Sequence, residues 1–210
     1  MVSFCLMLYS ILCILTTQPV SENRLTPNQE DEFVELSRLA PGIITEIRYA
    51  GTNNFVKEKM YPCGRCYLRK APAEAIAKAQ KILRKKGLGL KIWDGYRPLS
   101  VQYKLWKKKP DPRFVMNPKT GSMHNRGAAV DLTIVDLKGN ELDMGTPYDF
   151  FGEKAYQTYT ALPEDVLKNR NLLKETMAAV GFKSIRTEWW HYSYPGKKYE
   201  VSDWQWDCPK

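Results

Sequence analysis

Histidine is nearly missing from this chain, which carries two in 210 residues, His124 and His191. Cysteine is sparse too, with five. Cys63-Gly-Arg-Cys66 has CxxC spacing, but no second such pair and no spare histidine stands ready to complete a structural zinc site. A thioredoxin-like strand and helix are also missing around it, which argues against a redox role. No apolar run is long enough to span a bilayer comfortably: Phe4 to Leu15 is apolar apart from Ser10, short of the roughly 20 residues required. Acidic residues are outnumbered, 23 against 32 lysines and arginines, for a formal charge of +9. That balance would suit an anionic partner, yet no nucleic-acid motif accompanies it. The densest cluster, Lys104 with Lys107, Lys108 and Lys109 before Pro110, reads as the solvated C-terminal end of a short helix. Nucleic acid is therefore not an expected partner. Neither internal repeats nor low-complexity tracts occur.

What is present is an ordinary globular composition, 43% hydrophobic and 26% charged, in a chain of the right length for one domain with a substantial core. Met1 to Ser21 carries no charged side chain and resembles the hydrophobic part of a secretory signal, without the usual basic start. Residues 1–21 are expected to be a removable signal peptide, so that export to the periplasm or medium is favoured over the cytoplasm and no stable membrane span results. Residues 22–31 are polar and read as a linker, and residues 32–210 as a single folded domain. Once such a leader is removed, Cys63, Cys66 and Cys208 remain, which allows one disulfide and one free thiol. A structural bridge, with Cys208 as a candidate partner, is the leading expectation.

The pattern predicts short strands at Phe33–Leu36 and Ile43–Tyr49 on either side of a Pro41-Gly42 turn. Pro72 to Lys86 is the clearest helix, with Ile76, Ala79, Ile82 and Leu83 on one face and Gly87 as its stop. A strand follows over Leu88, Leu90 and Ile92, ending at Asp94-Gly95, and a second helix covers Leu99 to Lys108. Val130, Leu132 and Ile134 alternate with Asp131 and Thr133 in a further strand, and the Lys138-Gly139-Asn140 turn predicts a hairpin with residues 141–144. A third helix spans Pro163 to Val180, closed by Gly181, before a last strand from Phe182 toward His191. Helices and mostly antiparallel strands without strict alternation indicate an α+β fold.

Both histidines sit in dense polar settings, Ser122-Met-His-Asn-Arg-Gly-Ala-Ala-Val-Asp131 and Glu188-Trp-Trp-His191. Small residues between His124 and Asp131 let the backbone turn closely, so that a loop imidazole and a strand carboxylate converge. His124, Asp131 and His191 read as three ligands around one open position, a donor mixture that suits a catalytic zinc. Glu188, three residues before His191, is placed to take a proton from an attacking water. On a flat strand, however, positions three apart face opposite ways, so either the segment bends or Glu188 is a solvated residue beside two core tryptophans. Arg97, at the strand-to-helix turn Asp94-Gly-Tyr-Arg-Pro98, either stabilises a developing oxyanion or forms a surface ion pair with Asp94.

These segments resemble the D-alanyl-D-alanine dipeptidases of the VanX type: SMHNRGAAVD matches their SxHxxGxAxD signature and EWWH its ExxH partner. EIRYAGTNNF at 46–55, CYLR at 66–69, DGYRP at 94–98 and LDMGTPYDFF at 142–151 extend the likeness, in order, from Glu32 to Trp206. The resemblance implies a zinc dipeptidase of the hedgehog/DD-peptidase fold, with one Zn2+ held by His124, Asp131 and His191. In that reading Glu188 is general base and acid, and Arg97 stabilises the transition state. Ser122 falls where the family contacts the dipeptide carboxylate, and Asp149 where it contacts the ammonium. The expected substrate is a small D,D-dipeptide, with recognition of both termini excluding longer chains. The alternative on the same fold is a zinc D,D- or L,D-carboxypeptidase or peptidoglycan endopeptidase, which predicts an open cleft where the segment 143–151 resembles a lid. The leader and Cys63 depart from what the resemblance implies.

Overall fold

The structure, a computed structural model, describes residues 32–209 together with Met1. The expected leader and linker lie outside the described residues. The two strands with the alternation anticipated above, β4 (Leu88–Asp94) and β5 (Ala129–Asp136), form the centre together with β7 (His191–Ser193). β5 is buried along nearly its whole length, as a middle strand covered on both faces must be. β4 and β5 pair antiparallel from Leu88↔Asp136 to Ile92↔Leu132, with an irregularity before Asp94↔Asp131. On the other side β5 pairs antiparallel with β7 in a register that sets Asp131 opposite His191. With β2 (Ile44–Thr45) and β6 (Lys183–Ser184) at the edges, the order is β2-β4-β5-β7-β6, and the β2–β4 pair is parallel. The fold is therefore α+β, a mostly antiparallel sheet flanked by helices.

The helices follow their apolar stripes. α2 (Lys70–Arg84) buries Ala73, Ile76, Ala79 and Leu83, and α4 (Glu164–Ala179) buries Val166, Leu173 and Met177. Each fully buried Ile or Leu contributes about 1.5 to 3 kcal/mol of transfer free energy. α2 starts two residues earlier than predicted. Pro72 still falls in the first turn, where its missing N–H breaks no helical bond. α3 (Leu99–Lys108) has the predicted bounds, with Lys107 and Lys108 in its last turn. Side-chain alternation along β5 splits the sheet: Val130, Leu132 and Ile134 point to one face, Asp131 and Thr133 to the other.

Three local expectations are corrected. The strand begun at Phe33 stops at Glu35 (β1), and Leu36–Leu39 forms a one-turn helix, α1. Its partner is β3 (Tyr67–Arg69), far along the chain, and residues 43–49 yield only β2 and a 3-10 turn at Arg48–Ala50. No hairpin forms across Pro41-Gly42, because main-chain partners in β3 and β4 take up both segments. Residues 141–144 form a single bridge, Val135↔Glu141, and then leave the sheet. The last predicted strand is two short ones, β6 and β7, with residues 185–190 bent between them.

Cys63 is bonded to Cys208, and Cys66 is a buried free thiol. The segment before Cys208 crosses the two loops carrying Arg97 and His124: the Leu99 amide donates to Ser202 O, Ser202 N–H to Asn125 O, and Tyr96 OH to Trp204 O. Among the described residues no helix is long and apolar enough to cross a membrane.

Candidate metal centre and cleft

His124 opens a 3-10 turn, His124–Arg126, that ends on Gly127 in the left-handed region (φ 68°). Only glycine fits there, since a Cβ would stand 2.6 Å from Phe33 Cε1. The turn brings the imidazole against the backbone of Gly95, where His124 Nδ1–H donates to the carbonyl at 2.7 Å. A carbonyl only accepts, so this bond fixes the tautomer and leaves the Nε2 lone pair free. On β7, His191 Nε2 lies 2.9 Å from Ser193 Oγ, a hydroxyl able to accept its proton, and in that tautomer Nδ1 is the nitrogen with a lone pair. Asp131 lies opposite His191 in the strand register, and Tyr148 OH donates to its Oδ2 at 3.0 Å, turning Oδ1 toward the imidazoles.

The three free donor atoms converge. His124 Nε2 is 3.1 Å from His191 Nδ1 and 3.3 Å from Asp131 Oδ1, and Nδ1 is 3.0 Å from Oδ1. Four-coordinate zinc with bonds near 2.0–2.1 Å has tetrahedral edges of about 3.3 Å, so the triangle matches one face of such a site. Two imidazole lone pairs and a carboxylate oxygen aimed at one point form a donor set that calls for a cation. Burial alone would raise the Asp131 carboxyl, but the neighbouring His124 and His191 outweigh it and hold Asp131 well below the usual carboxylate range.

Glu188, in the bend between β6 and β7, is 9% exposed, and its Oε2 lies 4.0 Å from His191 Nδ1. The bend resolves the parity conflict of a flat strand, and burial overturns the reading of a solvated residue. Trp189 and Trp190 beside it are core, as that reading also held. Burial, with Asp131 and Asp149 adding repulsion, pushes the Glu188 carboxyl well up from its ordinary value. Arg97 does pair with Asp94, but in the interior: Nε and Nη2 donate to Asp94 Oδ2 at 3.1 and 2.6 Å, and Nη1 to Gln102 Oε1 at 2.9 Å. Asp94 Oδ1 accepts from Tyr61 OH at 2.7 Å. These bonds use three of the five guanidinium N–H groups and lock its plane.

Arg97, Ser122, His124, Asp131, Asp149, Glu188 and His191 all line one cavity of about 410 Å³. Ser122 is held by Asn125: its Oγ donates to Asn125 Oδ1 at 3.0 Å. Asp149 adopts the left-handed region (φ 59°) and accepts from Tyr49 OH at 3.3 Å. Burial, with the Asp131 charge adding to it, pushes its carboxyl up to about 7. Sequence reasoning passed over Tyr148 and Ser193, the partners that orient Asp131 and His191, and Gln102, which helps to hold Arg97. Tyr148 stood inside the quoted LDMGTPYDFF segment, and nothing distinguished it there from the other aromatics. Arg170 on α4 anchors the segment 143–151 and the turn after it, donating to the carbonyls of Met144 and Lys154 at 2.7 and 2.8 Å.

Comparison with known proteins identifies the family. A profile of the M15 peptidases, described as D-ala-D-ala dipeptidase, matches residues 29–207. The chain is 39% identical to a D-alanyl-D-alanine dipeptidase of Escherichia coli over 164 residues, covering 78% of this chain and 85% of that protein. It is 30% identical to one of Enterococcus faecalis, covering 81% and 95%, and 32% identical to one of Streptomyces coelicolor, covering 77% and 91%.

Proposed function

The chain belongs to the D-ala-D-ala dipeptidase family of the M15 peptidases, and from that premise we propose that it hydrolyses D-Ala-D-Ala to two D-alanines with zinc held by His124, Asp131 and His191. The observation that carries the reading is the 3.0–3.3 Å triangle of free donor atoms with the Glu188 carboxylate beside it. When bound, zinc supplies a Lewis acid that polarises the scissile carbonyl and lowers the pKa of the attacking water toward ~7. Its positive charge would counter the burial that raises the Glu188 carboxyl, favouring the carboxylate form of the base.

Glu188 takes a proton from the water as its oxygen bonds to the carbonyl carbon, and returns it to the amine as the C–N bond breaks. Water and one amide thereby become a carboxylate and an ammonium. The remaining N–H groups of Arg97 face the oxygen on which negative charge develops, a kind of donor worth about 3 to 4 kcal/mol when removed elsewhere. Asp149 meets the substrate ammonium and Ser122 its carboxylate, and together they restrict the substrate to a free dipeptide. We also assign residues 1–21 to a removable leader, 22–31 to a linker and the remainder to the enzyme domain. The Cys63–Cys208 bridge supports export, since such bonds persist in oxidising compartments.

The test is Glu188→Gln, measured for zinc content by mass spectrometry and for alanine release from D-Ala-D-Ala. Zinc is retained, and kcat falls by about 10²–10⁴, the usual contribution of a general base. Loss of zinc with activity would place Glu188 among the ligands. Faster release from a D-Ala-D-Ala-terminated pentapeptide than from the dipeptide would replace the dipeptidase with a carboxypeptidase.

A further inference from the structure

The bonds around Arg97 hold its guanidinium unequally. Nε and Nη2 both donate to a single oxygen, Asp94 Oδ2, at 3.1 and 2.6 Å. The other oxygen, Oδ1, accepts from Tyr61 OH at 2.7 Å and from the Gly95 amide at 3.0 Å, so the parallel pairing of two N–H groups with two oxygens is not made. A guanidinium held at one oxygen can swing about it. The second fixed point is Gln102 Oε1, 2.9 Å from Nη1, the nitrogen that Asp94 leaves free.

Gln102 lies on the buried face of α3 and is 0% exposed. A side-chain amide can present either end to a neighbour, and here a carbonyl decides which. Met116 O accepts from Gln102 Nε2 at 2.7 Å, and this turns Oε1 toward Arg97. Met116 ends a stretch, residues 112–116, that lines the cleft. The amides of Phe114 and Val115 fold that stretch back by donating to Asp111 O, and Thr187 Oγ1 donates to Arg113 O at 3.4 Å. Thr187 directly precedes Glu188. One piece of cleft wall is therefore fastened to the bend that carries the proposed base and, through one buried amide, to the arginine.

We infer that Gln102 is a positioning residue for the hydrolysis proposed above, a reading on which this inference rests. Its acceptor sets the plane in which Arg97 offers its two remaining N–H groups to the developing oxyanion. Its donor makes that plane depend on the seating of the wall at 112–116. Gln102 acts through Arg97, and Arg97 meets a charge that grows only as water attacks. The effect of Gln102 therefore falls on kcat and leaves KM nearly unchanged.

The zinc-loaded full chain is compared with Gln102→Met, Gln102→Glu, Arg97→Lys and the double variant Gln102→Met/Arg97→Lys. Gln102→Met keeps the length of the side chain and loses both bonds. Its kcat falls about 10-fold or more, the worth of a hydrogen bond to a charged group, while KM stays within about twofold and bound zinc is unchanged. Gln102→Glu keeps an acceptor for Arg97 in either protonation state and recovers most of that kcat. In the Arg97→Lys background, Gln102→Met lowers kcat no further. A merely structural role predicts no recovery by Gln102→Glu and a full additional loss in the double variant, and either result overturns the inference. Should Gln102→Met not fold, Gln102→Glu decides: a kcat as low as that of Arg97→Lys overturns it. A second readout needs no turnover. In protein carrying isotopically labelled arginine, the Arg97 Nε–H exchanges with solvent faster in Gln102→Met than in the parent, and an unchanged rate overturns the inference. If no form releases alanine while exchange behaves as stated, the dipeptidase reading falls and the anchoring of Arg97 stands.

Discussion

Replacing Tyr148 with phenylalanine removes one hydroxyl and, with it, the bond that aims a ligand. Tyr148 OH donates to Asp131 Oδ2 at 3.0 Å, while the other oxygen of that carboxylate faces the two imidazoles. The phenol is a permanent donor, because burial and the nearby Asp131 and Asp149 raise its pKa well above the ordinary value. The ring packs on Trp93 at 5.1 Å and Trp190 at 5.6 Å between centroids, contacts that phenylalanine preserves. The loss is therefore confined to a hydrogen bond with a charged acceptor, about 1.5 to 3 kcal/mol. At 1.4 kcal/mol per decade, that is about 10- to 100-fold in zinc affinity, the same range found when partners of metal ligands are removed elsewhere. The assay is competition for zinc against a chromophoric chelator of known affinity, at a pH where Asp131 stays ionised. At saturating zinc, kcat should remain within a fewfold of the parent value. An unchanged zinc affinity would refute the reasoning, since Asp131 would then be oriented by its strand alone. A large fall in kcat with normal affinity would place the hydroxyl on the substrate.

Breaking the bridge with Cys63→Ala and Cys208→Ala opens a loop of sequence separation 145, worth about 5 kcal/mol by chain entropy; the guanidinium midpoint should drop sharply, and an unchanged midpoint would show the bond unformed in solution. Gly127→Ala forces a Cβ to within 2.6 Å of Phe33 Cε1 at a left-handed position, so the melting temperature should fall by several degrees and zinc affinity with it. Asp149 supplies a pH signature in chelator-treated protein. Its folded value, about 7, lies above the ordinary 3.8, so its contribution to stability is present in acid and is lost as pH rises through 7. Asp149→Asn should flatten that part of the melting-temperature profile, and an unaltered profile would assign the titration to another group.

The longer helices were the most legible part of the fold, because apolar spacing and an early proline mark α2, α3 and α4 locally, and a glycine follows α2 and α4. α3 has its predicted bounds, and α2 and α4 are displaced by one or two residues. Strand partners were not legible. Nothing in Phe33-Val-Glu35 specifies Tyr67–Arg69, since pairing depends on which segments the rest of the fold leaves open. At the site, scarcity of histidine singled out the imidazoles, and Asp131 emerged from strand parity. Glu188 was ambiguous because two- and three-residue strands carry too little pattern to reveal a bend between them. Arg97 was ambiguous for a different reason: its ion pair and its place in the cleft are both real, and only the interior position of Asp94 makes them compatible. Tyr148 and Ser193 act through the ligands they touch, a role that leaves no local mark among twelve tyrosines.

The register of β5 against β7 does more than place two side chains opposite each other. A slip of one residue would turn Asp131 to the opposite face from the imidazoles and leave three donors that no single ion could join. A cation that binds the aligned sheet and ignores every misaligned one lowers the free energy of the correct pairing alone, by RT ln(1 + [metal]/Kd). With the proposed ion bound, the centre would act as a proofreader of strand alignment, and chains whose central strands had paired wrongly would also be those unable to keep the ion.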